Sequence, residues 1–147
     1  MAALARQAVI MQNPPTVHFK YEDRIVRFHL LHENGDSEQL ALTSVGSNLY
    51  RLAESSFLGD AVYRDIIRVN EMVDGTLLFV EIVERSTLIT QSWILSAEVL
   101  ATERVQSILN SVMEAGGMWE RAFGGLLMVH APPNIAKMIF EEISSVS

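Results

Sequence analysis

At Ser96 the periodicity of the apolar residues changes, and this change constrains the fold more than any other feature of the chain. Before it, apolar and polar residues alternate in short runs, the period of a half-buried strand. After it, Val99, Leu100, Val105, Ile108, Leu109 and Val112 recur at the spacing of one helix face. A chain with strands first and helices second reads as α+β rather than as an alternating doubly wound fold.

The strand runs are separated by recognisable turns. Val17 to Tyr21 alternates, and Arg24 to His32 is rich in β-branched and aromatic residues. Asn34-Gly35 then supplies a strong hairpin signal, because both central positions of the tight turn need φ > 0. Gln39–Val45 returns, Gly46-Ser47-Asn48 turns, and Leu49–Leu52 forms a short strand. Glu54 to Tyr63 reads as a loop around Phe57, and Asp65–Asn70 as a strand. Asp74-Gly75 is a second hairpin turn, leading into the long strand Thr76–Arg85 and its partner Leu88–Leu95.

Ser96 is an N-cap residue and predicts a single helix to about Ala115, stopped by Gly116-Gly117. Met118–Phe123 and Leu126–His130 read as a hairpin, and Asn134 as the cap of a last helix. The expected architecture is an antiparallel, barrel-like β-rich part over 17–95, then helix, strand, strand and helix over 96–147. With strand Leu88–Leu95, the latter makes a βαββα, ferredoxin-like half. Residues 1–16, ending at Asn13-Pro14-Pro15, read as a flexible arm, and 17–147 as one α+β domain.

The chain has 147 residues, 49% hydrophobic and 20% charged, enough to bury a core without a disulfide or a metal. It has no cysteine, which removes thiolate zinc sites and cysteine nucleophiles. The run Ala8-Val9-Ile10-Met11 is too short for a secretory signal, and no stretch nears the roughly 18 apolar residues of a membrane span. A cytoplasmic protein without membrane contact is expected.

The net charge is −7, with seven Lys/Arg against twelve Asp/Glu over 17–95 and three against six over 96–147. Such a surface argues against direct nucleic-acid binding and favours a basic protein partner.

No catalytic set emerges. His29 and His32 fall on opposite faces of a strand, and His18 and His130 stand apart from them, so no metal site is expected. Glu81 and Glu84 also oppose one another, while Glu141 and Glu142 fall on a helix surface. Asp60 and Asp65 share a loop, and with a histidine they are the only candidate acid–base pair. The glycine pairs lack the Gly-Lys-Ser/Thr of a phosphate loop. The expected binding residues are Phe57, Asp60, Tyr63, Arg64, Asp65, Asp74 and Trp119, aromatic and charged groups near turns and strand ends.

Glu38-Gln39-Leu40-Ala41, Leu49-Tyr50-Arg51-Leu52, Phe57, Asp65-Ile66-Ile67, Asp74-Gly75 and Leu78-Phe79-Val80-Glu81-Ile82-Val83-Glu84-Arg85-Ser86 follow in an order that resembles a bacterial family known as domain of unknown function 4265. Gly125-Leu126-Leu127-Met128-Val129 and Ala131-Pro132-Pro133 are similar to that family's ending. Two positions depart from the pattern. Arg64 stands where the family tends to carry Gly, and Ser86-Thr87-Leu88-Ile89-Thr90 replaces a Gly-His-Ser-Thr turn. The resemblance brings no known chemistry.

These observations lead to an expected non-enzymatic binding protein, in its specific form an immunity-type inhibitor of a basic toxin or nuclease, without cofactor. A small-molecule-binding regulatory domain is the alternative, and either is compatible with homodimerisation through an exposed sheet edge.

Overall fold

The computed structural model describes residues 24–147, so the arm and the Val17–Tyr21 strand lie outside the described residues. The described chain divides into two compact units, 24–86 and 87–147. The boundary falls between Ser86 and Thr87, ahead of the last strand of the expected β-rich part, so that strand joins the helices.

The first unit is a closed barrel of β1 (Ile25–Leu31), β2 (Ser37–Gly46), β3 (Leu49–Leu52), β4 (Ile66–Glu71) and β5 (Leu77–Glu84). Successive strands pair antiparallel. Closure comes from a short parallel seam, Leu30 opposite Leu77 and Leu31 opposite Leu78. The register of β4 against β5 shifts at Ile66/Ile67 and at Arg68/Val69. Such irregularities bend a strand and raise its twist, which a barrel of so few strands requires. Inward-facing Leu30, Leu40, Leu42, Leu52, Ile67, Val69 and Leu77 are each at most 2% exposed and fill the interior.

In both hairpin turns the glycine alone takes positive φ, and Asn34 and Asp74 do not, so neither is the tight turn with two positive-φ residues that Asn-Gly suggests. Gly35 and Gly75 take φ of 94° and 89°. The side chains of Asn34 and Asp74 accept the N–H groups of Asp36 and Thr76, each at 2.9 Å.

The second unit is a three-stranded antiparallel sheet of order β6-β8-β7, with β6 Ile89–Ile94, β7 Met118–Ala122 and β8 Leu126–Ala131. One face, through Trp93, Leu127 and Val129, forms a core with Val105, Ile108, Leu109 and Val112 and with Ala136, Ile139 and Ile143 of the helices.

The single helix expected from Ser96 to Ala115 is two helices, α1 (Ala97–Leu100) and α2 (Glu103–Glu114). Thr102 breaks it. Its backbone is extended, its hydroxyl donates to the Val99 carbonyl at 2.7 Å, and the same oxygen accepts from Val105 N–H. A local side-chain bond of this kind competes with helix continuation and starts a new helix instead. The last helix, α3 (Pro133–Val146), is capped at Pro132 rather than at Asn134. Pro133 occupies its first turn, where a missing N–H costs nothing and φ is already helical.

Candidate interaction surface

Between β3 and β4 the chain leaves the ladder for residues 53–65, and three carboxylates hold this loop from within. Glu54 is 1% exposed, and its Oε2 accepts the Ala41 N–H at 2.8 Å and Arg27 Nη1 at 3.3 Å. Asp65 is fully buried. Its Oδ1 accepts Ser86 N–H at 2.6 Å, and its Oδ2 accepts Val62 N–H at 2.9 Å and Arg85 Nη1 at 3.1 Å. The third is Glu38. Ser56 Oγ donates to its Oε2 at 2.6 Å, His32 Nε2 lies 2.6 Å from the same oxygen, and Phe57 N–H donates to Oε1 at 3.3 Å.

A buried carboxylate is tolerated only when its oxygens are bonded, and here half of the groups that meet them are backbone N–H groups, those of Ala41, Phe57, Val62 and Ser86. Ser55 Oγ accepts Tyr63 N–H at 2.9 Å and Ser56 Oγ accepts Gly59 N–H at 3.0 Å. Backbone bonds from Ala53 to Ala41 and from Arg64 to Leu52 complete the framework. Arg64 takes φ of 73°, a left-handed conformation that favours glycine.

The fixed loop turns Phe57 and Tyr63 half outward and leaves Leu58, Asp60 and Arg64 exposed, Leu58 by 46%. Of the residues singled out from the sequence, Phe57, Asp60, Tyr63, Arg64 and Asp65 therefore share one loop. The Asp65 side chain faces inward, and its charge is used inside the fold together with that of Glu54. Asp60 and Asp65 do not face one cleft, since one is exposed and the other buried. Asp74 lies in the β4–β5 turn, and Trp119 lies in the second unit, half-buried against the helical core. Glu38, Glu54, Ser55 and Ser56 lie in the acidic stretches expected to meet a partner, but their side chains bond inside the fold, and His32 and Arg85 join them there. The only sequence signal of this inward role is the polar run Glu54-Ser55-Ser56, which reads equally well as a solvated loop.

The β1–β2 turn borders the loop on one side and the seam on the other. A Cβ on Gly59 would lie 3.1 Å from His32 Cε1, so the loop abuts this turn directly. On the other side the His32 and Phe79 rings stand 5.8 Å apart. Glu33, Leu78, Phe79 and Val80 line an open depression of about 370 Å³ there. Glu33, Asp36, Asp60 and Asp74 are exposed on these turns. The Thr76 backbone N–H holds the Asp74 carboxyl below the usual carboxylate range, with the Thr76 hydroxyl and the field of His29 acting in the same direction.

The second unit contains one further polar row. Thr90 Oγ1 lies 2.7 Å from His130 Nδ1, and His130 Nε2 lies 2.6 Å from Glu120 Oε2. This connectivity resembles a hydroxyl–imidazole–carboxylate triad, but His130 and Glu120 have no exposed surface, so a substrate would reach at most the half-buried Thr90. No group of three or more His, Asp or Glu side chains is arranged to hold a metal among the described residues. No helix among them is long and apolar enough to cross a membrane.

Fold and surface together define an α+β protein of two units, a closed five-stranded barrel and a three-stranded sheet carrying helices on one face. No family model matches the chain, and no curated protein matches it. The fold is similar to that of a solved structure described as a novel crystal structure of a hypothetical protein from Neisseria gonorrhoeae. The two share 14% identity over 82% of this chain and 89% of that one, with a TM-score of 0.53. At that identity the likeness concerns the fold alone.

Proposed function

We propose that the protein is a non-enzymatic binding protein whose barrel unit docks a basic protein partner around the β1–β2 turn. One observation carries this reading. That turn sits between the loop bearing Phe57 and Leu58 and the part of β5 just past the seam that bears Phe79 and Val80, so apolar anchors flank the exposed Glu33 and Asp36. Apolar groups surrounded by like-signed charge suit a partner of opposite sign, with the charges setting encounter rate and register. Asp60, Arg64 and Asp74 belong to the rim, and Tyr63 supports the loop. The specific form is an immunity-type inhibitor, cytoplasmic, with acidic side chains in the place of phosphates at the site of a basic toxin or nuclease.

Titration against the product of the adjacent gene tests the reading. Binding is expected to weaken with salt and to fall by about tenfold or more in the Glu33→Lys, Asp36→Lys double variant. A complex indifferent to both would remove the reading.

The 370 Å³ depression supports a second reading, a small-ligand regulatory domain. A metabolite that raises Tm, and no longer does so when Val80→Trp fills the depression, would favour it. The second unit we read as a ferredoxin-like βαββα half, supported by its β6-β8-β7 order and by helices on one face.

A further inference from the structure

We infer that the free edge of β6 pairs with β6 of a second copy of this chain, joining two three-stranded sheets into one of six. Among the described residues β6 hydrogen-bonds to β8 on one side only, so within them its other edge presents unpaired backbone groups. Natural edge strands are guarded by charge, proline or bulges. β6 has none of these: from Thr87 to Ala97 no residue is charged or proline, in a chain of net charge −7. Its register with β8 runs unbroken from Ile89 to Ile94. The opposite edge, β7, carries Glu120 and Arg121.

A second copy is the occupant that the residue pattern fits. In a continuous antiparallel sheet, paired residues share a face, so the two-fold axis must pass through a residue position. With the axis at Gln91, Gln91 meets itself, Thr90 meets Ser92, and Ile89 meets Trp93. Amide lies against amide, hydroxyl against hydroxyl and apolar against apolar. Ile89, 45% exposed, would gain an apolar neighbour. No charged group in the strand opposes self-pairing, whereas the acidity elsewhere on the chain repels non-specific association.

Sedimentation of the full chain tests the pairing. The wild type is expected to run as a dimer at about 100 µM. Gln91→Lys and Gln91→Glu each place like charges on the axis and are expected to weaken the dimer by about tenfold or more, while an equimolar mixture of the two restores it. Gln91 is exposed, so circular dichroism should be unchanged in both variants. Ile94→Glu, at a position 79% exposed, provides an independent disruption of the same edge. A monomeric wild type, a dimer unmoved by all three variants, or single-variant losses that mixing fails to repair would each overturn the inference.

Discussion

The Asp65 carboxylate accepts the Ser86 backbone N–H at 2.6 Å, tying the start of β4 to the residue that ends the barrel, 21 positions on. The same carboxylate holds Val62 N–H inside the loop, so one buried side chain organises both. Asp65→Asn keeps the volume but turns an amide N–H₂ toward one of these donors. We expect a loss of about 2–3 kcal/mol in urea unfolding, the cost of a buried donor left unmatched. Arg85→Ala should cost under about 1 kcal/mol, because Arg85 is 60% exposed and its ion pair is screened. Equal losses in the two variants would show that the ion pair, not the backbone bonds, does the holding.

Arg64 sits at φ 73° with an exposed side chain. A left-handed backbone costs a non-glycine residue roughly 1 kcal/mol or more, partly offset by the extra freedom of glycine in the unfolded chain. Arg64→Gly is therefore expected to stabilise the barrel by about 0.5 kcal/mol, and Arg64→Val to destabilise it. Thermal unfolding of the two variants in parallel decides the point, and it fails if both move the same way.

Gly117 precedes β7, where the chain passes close to its neighbours. A Cβ there would collide with the His130 carbonyl oxygen and stand 2.8 Å from Val112 Cγ1. Backbone on one side and a fully buried Val on the other leave no room to relax. Gly117→Ala should lower stability by about 2–4 kcal/mol. A wild-type melting temperature in this variant would refute the tight approach.

The Tyr50 phenol titrates above its ordinary value, first because burial disfavours the phenolate and second because Glu71 adds negative charge. A raised folded-state pKa on an acid means stability that is full below the unfolded value of 10.0 and is lost as pH rises through the folded one. Barrel stability should thus decline on the alkaline side of about pH 10, and Tyr50→Phe should flatten that decline. Ultraviolet titration of the phenolates should show one late-ionising tyrosine that the variant lacks.

How far the sequence could be read depended on the kind of interaction. Asn34-Gly35 and Asp74-Gly75 were legible because a type of turn demands φ > 0 and few residues supply it. The switch at Ser96 was legible because side-chain period follows directly from backbone geometry. Thr102 was missed, since a threonine inside a helical pattern is unremarkable until its hydroxyl is seen to cap.

The candidate surface divides along the same line. Phe57, Asp60, Tyr63 and Arg64 could be picked out as loop residues, but nothing local distinguishes Asp65 and Glu54, which turn inward, from Asp60, which does not. Their orientation is set by partners far along the chain: Ala41 and Arg27 for Glu54, Arg85 and Ser86 for Asp65. The sequence by itself determined the α+β class, the turns and the acidic character, because those follow from period, steric preference and charge count. Only the tertiary structure decided where the chain divides, that the barrel closes through Leu30 and Leu31 against Leu77 and Leu78, and which carboxylates stay exposed. Burial and long-range pairing are properties of the folded chain, and the same aspartate is a solvated charge or an internal tie according to what closes over it.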